Sequence, residues 1–298
     1  MELEIWPNFL QAARKRDIPV AVINGRISER TFKGYRMARS LLPQLDLISR
    51  YCVQDQAYQR RLLDLGVDPA RIFVTGNMKY DSVDMGQHAA ESGELRAWLC
   101  PGGEAVLVAG STHDDEEQAV LSAAEVLEGR GCPGLRVVLV PRHPERSAAV
   151  CDMVTQRGLR AVRWSEVESA PTPLEASDVV VVDTIGKLQR FYAACDVAFV
   201  GGSLIPHGGQ NMLEPAAQGR AVIFGPHTDN FRRDVELLLE ADAAVRVEDR
   251  SEFVGALQRL LQDPDQRAAY GARARCVIEQ NQGATARTFE LVDDLIAP

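Results

Sequence analysis

Short runs of β-branched and aliphatic residues alternate with amphipathic stretches from one end of this chain to the other. IPVAVIN, residues 18–24, predicts a buried strand, followed by a helix from about Ser28, whose hydroxyl suits an N-cap. DLISRYCVQ (46–54) and RIFVTGN (71–77) predict two further strands around a helix over 55–65. Strands separated by helices imply a parallel sheet. The polar, glycine-bearing YDSVDMGQHAAESGE (80–94) interrupts the rhythm and predicts a linker. The rhythm then resumes with EAVLVAGST (104–112), LRVVLVPRH (135–143), SDVVVVD (177–183), DVAFVGG (196–202), RAVIFG (220–225) and AAVRVE (243–248). Such continuous apolar runs are expected of parallel strands buried on both faces. ESAPTPLEAS (168–177) predicts a surface loop, and residues 250–298 predict helices. The expected fold class is α/β: two Rossmann-like, doubly wound parallel-sheet domains, a short, incomplete one over 1–85 and a fuller one over 86–298 that ends in helices.

Composition narrows the partners. No apolar run is long enough to cross a bilayer, and the start lacks a signal-peptide pattern. With 33 Lys and Arg against 42 Asp and Glu, the net charge of −9 argues against nucleic acid as a partner. Arg14, Lys15, Arg16, Arg26, Arg30, Lys33, Arg36 and Arg39 nevertheless gather positive charge in the first 40 residues. A solvated helix face accounts for such a cluster; contact with phosphates or an anionic membrane surface is the second reading. The six cysteines are scattered, without a C-x-x-C pair or a histidine at metal-ligand spacing, which fits reduced thiols and predicts no metal site.

In doubly wound sheets ligands bind beyond the carboxyl ends of the strands. Here those ends read GSTHDDEE (110–117), PRHPER (141–146), DTIGKL (183–188), GGSLIPHGGQNMLEP (201–215) and GPHTDNF (225–231). Glycine lets backbone N–H groups approach a ligand closely, and a helix starting just beyond adds unsatisfied donors. Gly201 and Gly202 before Ser203, Gly208 and Gly209 before a helix near Asn211, and Gly186 are placed to receive an anion. Arg142 offers a planar donor fork for phosphate or carboxylate. Glu214 is an acceptor only, which suits a ribose diol, so the set describes a nucleotide site. The alternative is that the glycines shape tight turns and Glu214 is an ordinary first-turn helix acid. His113, His143, His207 and His227 follow strands in the same way and are weaker candidates. A G-x-S-x-G elbow, a Walker loop and an ordered G-x-G-x-x-G are all missing.

ELEIWPN (2–8), NGRISERTFKGY (24–35), VTGNMKYD (74–81), STH (111–113), PRHPER, DTIGKL, GGSLIPHGGQNMLEPAAQG (201–219) and FGPHTDNF (224–231) resemble, in order and spacing, the bacterial 3-deoxy-D-manno-octulosonic acid (Kdo) transferases of lipopolysaccharide synthesis. The resemblance runs nearly end to end. It implies a GT-B fold, CMP-Kdo as donor, a lipid A precursor (lipid IVA) as acceptor, no metal cofactor, and a peripheral place on the cytoplasmic face of the bacterial inner membrane. It puts CMP contacts on Pro141 and Arg142, on Ile185, Gly186 and Lys187, and on Asn211, Met212, Leu213 and Glu214. Glu2 and Lys79 match positions thought to stabilise the transition state. Lys187 departs from the family's usual Gly-Glu-Leu. The family pattern also begins with strand–helix units upstream of ELEIWPN, which carry the glutamate regarded as general base. The leading expectation is an inverting, metal-independent glycosyltransferase. The other two readings are a truncated, non-catalytic nucleotide-binding relative and another GT-B enzyme such as a nucleotide-sugar epimerase.

Overall fold

The computed structural model describes residues 6–38, 43–86, 89–132 and 134–296. The chain divides into two units between Ser82 and Val83 and returns to the first unit at Gln280. The first contains α1 (Pro7–Arg14), β1 (Ala21–Gly25), α2 (Glu29–Met37), β2 (Arg50–Val53), α3 (Gln56–Asp64) and β3 (Ile72–Val74). Ser28 caps α2 by accepting the Thr31 N–H at 3.2 Å, and Asp55 caps α3 by accepting that of Tyr58 at 2.9 Å. The three strands pair in parallel in the order β1–β2–β3. Leu10, Ile27, Leu45, Tyr51, Leu62 and Ile72 form the core of this unit.

The second unit contains α4 (Ala89–Leu99), β4 (Ala105–Thr112), α5 (Glu116–Gly129), β5 (Leu135–Pro141), α6 (Ser147–Gln156), β6 (Arg160–Arg163), α7 (Trp164–Val167), β7 (Asp178–Val181), α8 (Leu188–Ala194), β8 (Val197–Val200), α9 (Leu213–Ala217), β9 (Ala221–Phe224), α10 (Arg232–Glu240), β10 (Val245–Arg246), α11 (Arg250–Gln262) and α12 (Pro264–Asn281). Its seven strands are all parallel, in the order β10–β9–β8–β4–β5–β7–β6. The continuous apolar runs have the cause expected of them, since successive side chains point to opposite faces and both faces are covered. Leu107, Val137 and Phe199 pack under α5, α6 and α11, whereas Val106, Val138 and Ala198 pack under α4 and α8. Burying each of the Val, Leu and Phe side chains among them stabilises the fold by about 1.5–3 kcal/mol.

One strand escapes a reading of the sequence. β6 has one neighbour, β7, and its sequence RAVR carries no apolar run because an edge strand with Arg160 exposed does not need one. Arg160 instead forms an ion pair with the buried carboxylate of Asp178. The end of the chain also differs from the expectation of one C-terminal domain over 86–298. Helix α13 (Ala284–Ile296) belongs with the first unit. There Asp81 accepts the N–H groups of Gly283 and Thr285, each at 2.6 Å, and Arg287 donates to the Thr75 carbonyl at 2.9 Å. Among the described residues no helix is long and apolar enough to cross a membrane.

Arg136 on β5 is 1% exposed, yet it points into the core. Its guanidinium donates to the carbonyls of Leu99 (2.8 Å), Glu175 (2.7 Å) and Asp178 (2.7 Å), tying the end of α4 to the turn before β7. Replacing it by Leu leaves these buried carbonyls without donors. R136L should lose about 3–5 kcal/mol of stability, read as a lowered urea midpoint in the fluorescence of Trp98 and Trp164, both in this unit. An unchanged midpoint would contradict that role.

Candidate functional site

β4, β5, β7 and β8 are neighbours in the sheet, and the loops after them build one end of the second unit. β4 leaves the sheet through Ser111, which stands at φ 54°, a left-handed backbone unusual for a residue with a side chain. The backbone of Ser111 and Thr112 lies against Gly201, the first residue after β8, so closely that a Cβ on Gly201 would strike the Ser111 carbonyl and the Thr112 Cα. The close approach that this glycine permits is therefore to the protein's own backbone.

Helix α5 opens with Glu116 and Glu117, each 1% exposed. Glu116 accepts four backbone N–H groups: His113 at 3.0 Å, Gly202 at 2.7 Å, and Ser203 and Leu204 at 3.0 Å. Glu117 accepts the Thr112 hydroxyl and the Arg146 guanidinium, both at 2.9 Å. Burial pushes the Glu116 carboxyl above its ordinary value, and the four N–H groups oppose that shift. One expectation changes as a result. Gly201, Gly202 and Ser203 do not present free donors to an anion, because Gly201 donates to Gly110 at 2.9 Å and the next three amides are taken by Glu116. A protein carboxylate stands where a ligand's charge was expected.

Beside this clamp lies a cavity of about 450 Å³, lined by Ser111, Arg142, Gly186, Leu188, Gln189, Gln210, Asn211, Glu214 and Phe231. Arg142, Gly186, Asn211 and Glu214, chosen from four positions far apart in sequence, thus share one pocket. Gly186 holds φ 82°, which turns the loop after β7 toward it. Gly186, Leu188 and Gln189 bring the start of α8 to the cavity, where the first-turn N–H groups of a helix have no partner within the helix itself. Asp183 anchors the loop by accepting the Ser165 N–H (3.0 Å) and hydroxyl (2.6 Å), and Lys187 turns from the cavity to pair with Glu168 at 2.5 Å. Ile185 is 86% exposed. Pro141 is buried as the last residue of β5, paired with Thr112.

The helix expected near Asn211 is the five-residue α9. Its Leu213 N–H is already taken by the Asn211 side chain at 3.1 Å, and Met212 and Leu213 are core residues that brace it. Asn211 also donates to Glu214 at 3.0 Å. Burial raises the Glu214 carboxyl above its ordinary value, opposed by that hydrogen bond and by Arg142. Three histidines gather nearby: His113 and His207 stack at 4.3 Å between ring centroids, and His143 stands edge-on to His113 at 5.9 Å. Burial, then the neighbouring His207, His143, Arg146 and Arg142, lower the His113 pKa, so its ring is neutral at neutral pH. His227 is not in these ring contacts; its N–H donates to Ser203 at 3.0 Å. Among the described residues no three His, Cys, Asp or Glu side chains are placed to hold a metal ion.

Lys79 belongs to the first unit, on the single turn Met78–Tyr80 after β3, half-buried with its ammonium 5.6 Å from the Tyr80 ring centroid. Glu2 lies outside the described residues. Sequence reasoning missed Ser111, Gln189, Gln210 and Phe231 as lining residues and Glu116 and Glu117 as their support. The two glutamates had no distinguishing signal in HDDEE, where four acids precede a helix and any of them could face solvent.

A parallel α/β sheet with a pocket of loop amides, a guanidinium and a carboxylate at its strand ends, in one chain with a second parallel unit, defines a glycosyltransferase of the GT-B class. HepE of Anabaena, solved with UDP, shares this fold with a TM-score of 0.55 at 14% identity, over 96% of this chain and 74% of that one. The C-terminal CMP-Kdo binding domain of WaaA from Acinetobacter baumannii is 30% identical, with a TM-score of 0.57 over 63% of this chain and 96% of that domain. Residues 1–82 match the family model for 3-deoxy-D-manno-octulosonic-acid transferase (kdotransferase). The 3-deoxy-D-manno-octulosonic acid transferase of Haemophilus influenzae is 33% identical over 98% of this chain and 68% of that protein, and its namesake from Bordetella pertussis is 33% identical over 99% and 68%. The chain belongs to the 3-deoxy-D-manno-octulosonic acid transferase family.

The Gly201 contact gives a direct test of this architecture. G201A should destabilise the second unit by about 1–3 kcal/mol in thermal or urea melts. G129A, at an exposed helix end where a Cβ meets nothing within 4 Å, should stay within about 0.5 kcal/mol of the parent. Equal melts for both variants would show that the two loops do not pack as described.

Proposed function

We propose that the pocket of the second unit binds the cytidylate half of CMP-Kdo and that the chain transfers Kdo to a hydroxyl of a lipid A precursor. The observation that carries this reading is the convergence of Arg142, of Gly186, Leu188 and Gln189 at the start of α8, and of Glu214 on one cavity. A phosphodiester beside Arg142 and the amides is neutralised by charge and by directed donors. Glu214, held by Asn211, accepts from the ribose hydroxyls, while the backbones of Pro141, Ile185, Lys187, Met212 and Leu213 fix the surrounding loops.

In the transfer the acceptor oxygen bonds to the anomeric carbon and the bond from that carbon to the phosphate oxygen breaks. The electron pair leaves with CMP, and the hydroxyl proton passes to a base. Charge grows on the departing phosphate, so donors aimed there stabilise the transition state more than the bound donor. By the family pattern Glu2 and Lys79 share that task, and no metal ion enters the scheme. The names of the relatives and of the WaaA domain support Kdo transfer and a CMP-Kdo donor. A lipid acceptor places the reaction at a membrane surface, which for lipopolysaccharide synthesis is the cytoplasmic face of the inner membrane, with the chain held peripherally.

R142A and E214A should each weaken CMP binding by about 10–100-fold in calorimetry, the loss expected for a hydrogen bond to a charged group. Unchanged affinity in both removes the site assignment. The pH dependence has a definite sign. The fold favours protonated Glu214, because burial raises its pKa, whereas the ribose diol needs the carboxylate as acceptor. CMP affinity should therefore rise with pH through a midpoint above the ordinary carboxylate range, and E214Q should keep only the rise due to ionisation of the CMP phosphate, whose second pKa is about 6. A wild-type titration flat across the acid range would contradict the role given to Glu214.

A further inference from the structure

We propose that Glu116 is a positioning residue for the transferase site, a reading that rests on the nucleotide pocket proposed above. Glu116 lies outside the lining of the cavity. It does join the two chain segments that line opposite parts of it. One Glu116 oxygen accepts the N–H groups of His113 and Gly202, at 3.0 and 2.7 Å, and so bridges the end of β4 to the loop after β8. The other accepts Ser203 and Leu204, both at 3.0 Å.

Each segment then continues into the pocket. Ser111 lines the cavity two residues before His113. On the other side the Gly202 carbonyl accepts the Gly209 N–H at 2.8 Å, immediately before the lining residues Gln210 and Asn211. The Gln210 side chain packs over Gly202, 3.4 Å from where a Cβ would stand. A change at Glu116 therefore reaches Asn211 and Glu214 through two hydrogen-bonded residues, Gly202 and Gly209, with no ligand contact of its own. Four N–H groups are aimed at one buried carboxylate and lose that acceptor if it is replaced, which makes the carboxylate hard to substitute.

Glu116→Gln tests this with little change of shape. One oxygen becomes an NH₂ group facing two N–H donors, so two of the four bonds fail. Folded E116Q should bind CMP about 10–100-fold more weakly than the parent, the scale of loss that follows a misplacement of about 1 Å. The loss should also be non-additive with Asn211→Ala, because both act through the same arm. In hydrogen exchange, segments 111–113 and 201–211 of E116Q should exchange faster while Ala105–Gly110 of β4 and Val197–Val200 of β8 keep their protection. E116D retains the charge one methylene short and should recover part of the affinity.

A folded E116Q with parental CMP affinity, or losses that simply add with N211A, overturns the proposal. If E116Q does not fold, E116D decides: intermediate affinity supports positioning, and parental affinity overturns it. Failure of both variants to fold also overturns it, since Glu116 would then be needed for folding alone. If the parent binds no CMP, or R142A and E214A both bind it as the parent does, the nucleotide reading fails separately. Faster exchange in the two segments of E116Q would still uphold the coupling between them, and unchanged exchange would end it.

Discussion

Two carboxylates buried side by side at the start of α5 are the constraint on which this end of the molecule depends. A buried carboxylate without partners is uphill by several kcal/mol, so the sequence retains one there only where donors meet it. Glu116 and Glu117 are met by four backbone amides, a threonine hydroxyl and a guanidinium drawn from three loops. Moving any of those loops strands a charge. The loops after β4, β5 and β8 are consequently held in one relative arrangement, and the cavity beside them inherits its shape from that arrangement.

The same economy explains where polarity is placed in the pocket. Donors near the clamp are consumed internally, so the polar groups left lining the cavity come from the loop after β7, from Arg142 and from Asn211 and Glu214. That loop is anchored from behind, by Asp183 on Ser165 and by Lys187 on Glu168. Lys187 turns away to Glu168, while its neighbours Gly186 and Leu188 line the cavity.

Most of the fold was legible because burial on both faces of a parallel sheet leaves an unbroken apolar run, as in EAVLVAGST and DVAFVGG. The exceptions are instructive. β6 is an edge strand whose arginines face water or Asp178, and the period that betrays a buried strand is lost there. Arg142, Asn211 and Glu214 could be selected from sequence because strand ends in this topology converge, whatever their distance along the chain. Gly201 and Gly202 were read as ligand donors because glycine reports only that something comes close. Here that something is Ser111 and Glu116. Which of the four acids in HDDEE turns inward depends on partners 86 to 88 residues away, and no local pattern encodes them.

A crystal structure with CMP bound is the most direct measurement. Expected is the nucleotide in the cavity of the second unit, its phosphate within hydrogen-bond distance of Arg142 and the amides of Gly186–Gln189, its ribose on Glu214, and the Glu116 contacts to Gly202–Leu204 intact. A nucleotide seated elsewhere, or a phosphate bound by the Gly201–Ser203 amides after displacing Glu116, would contradict the assignment.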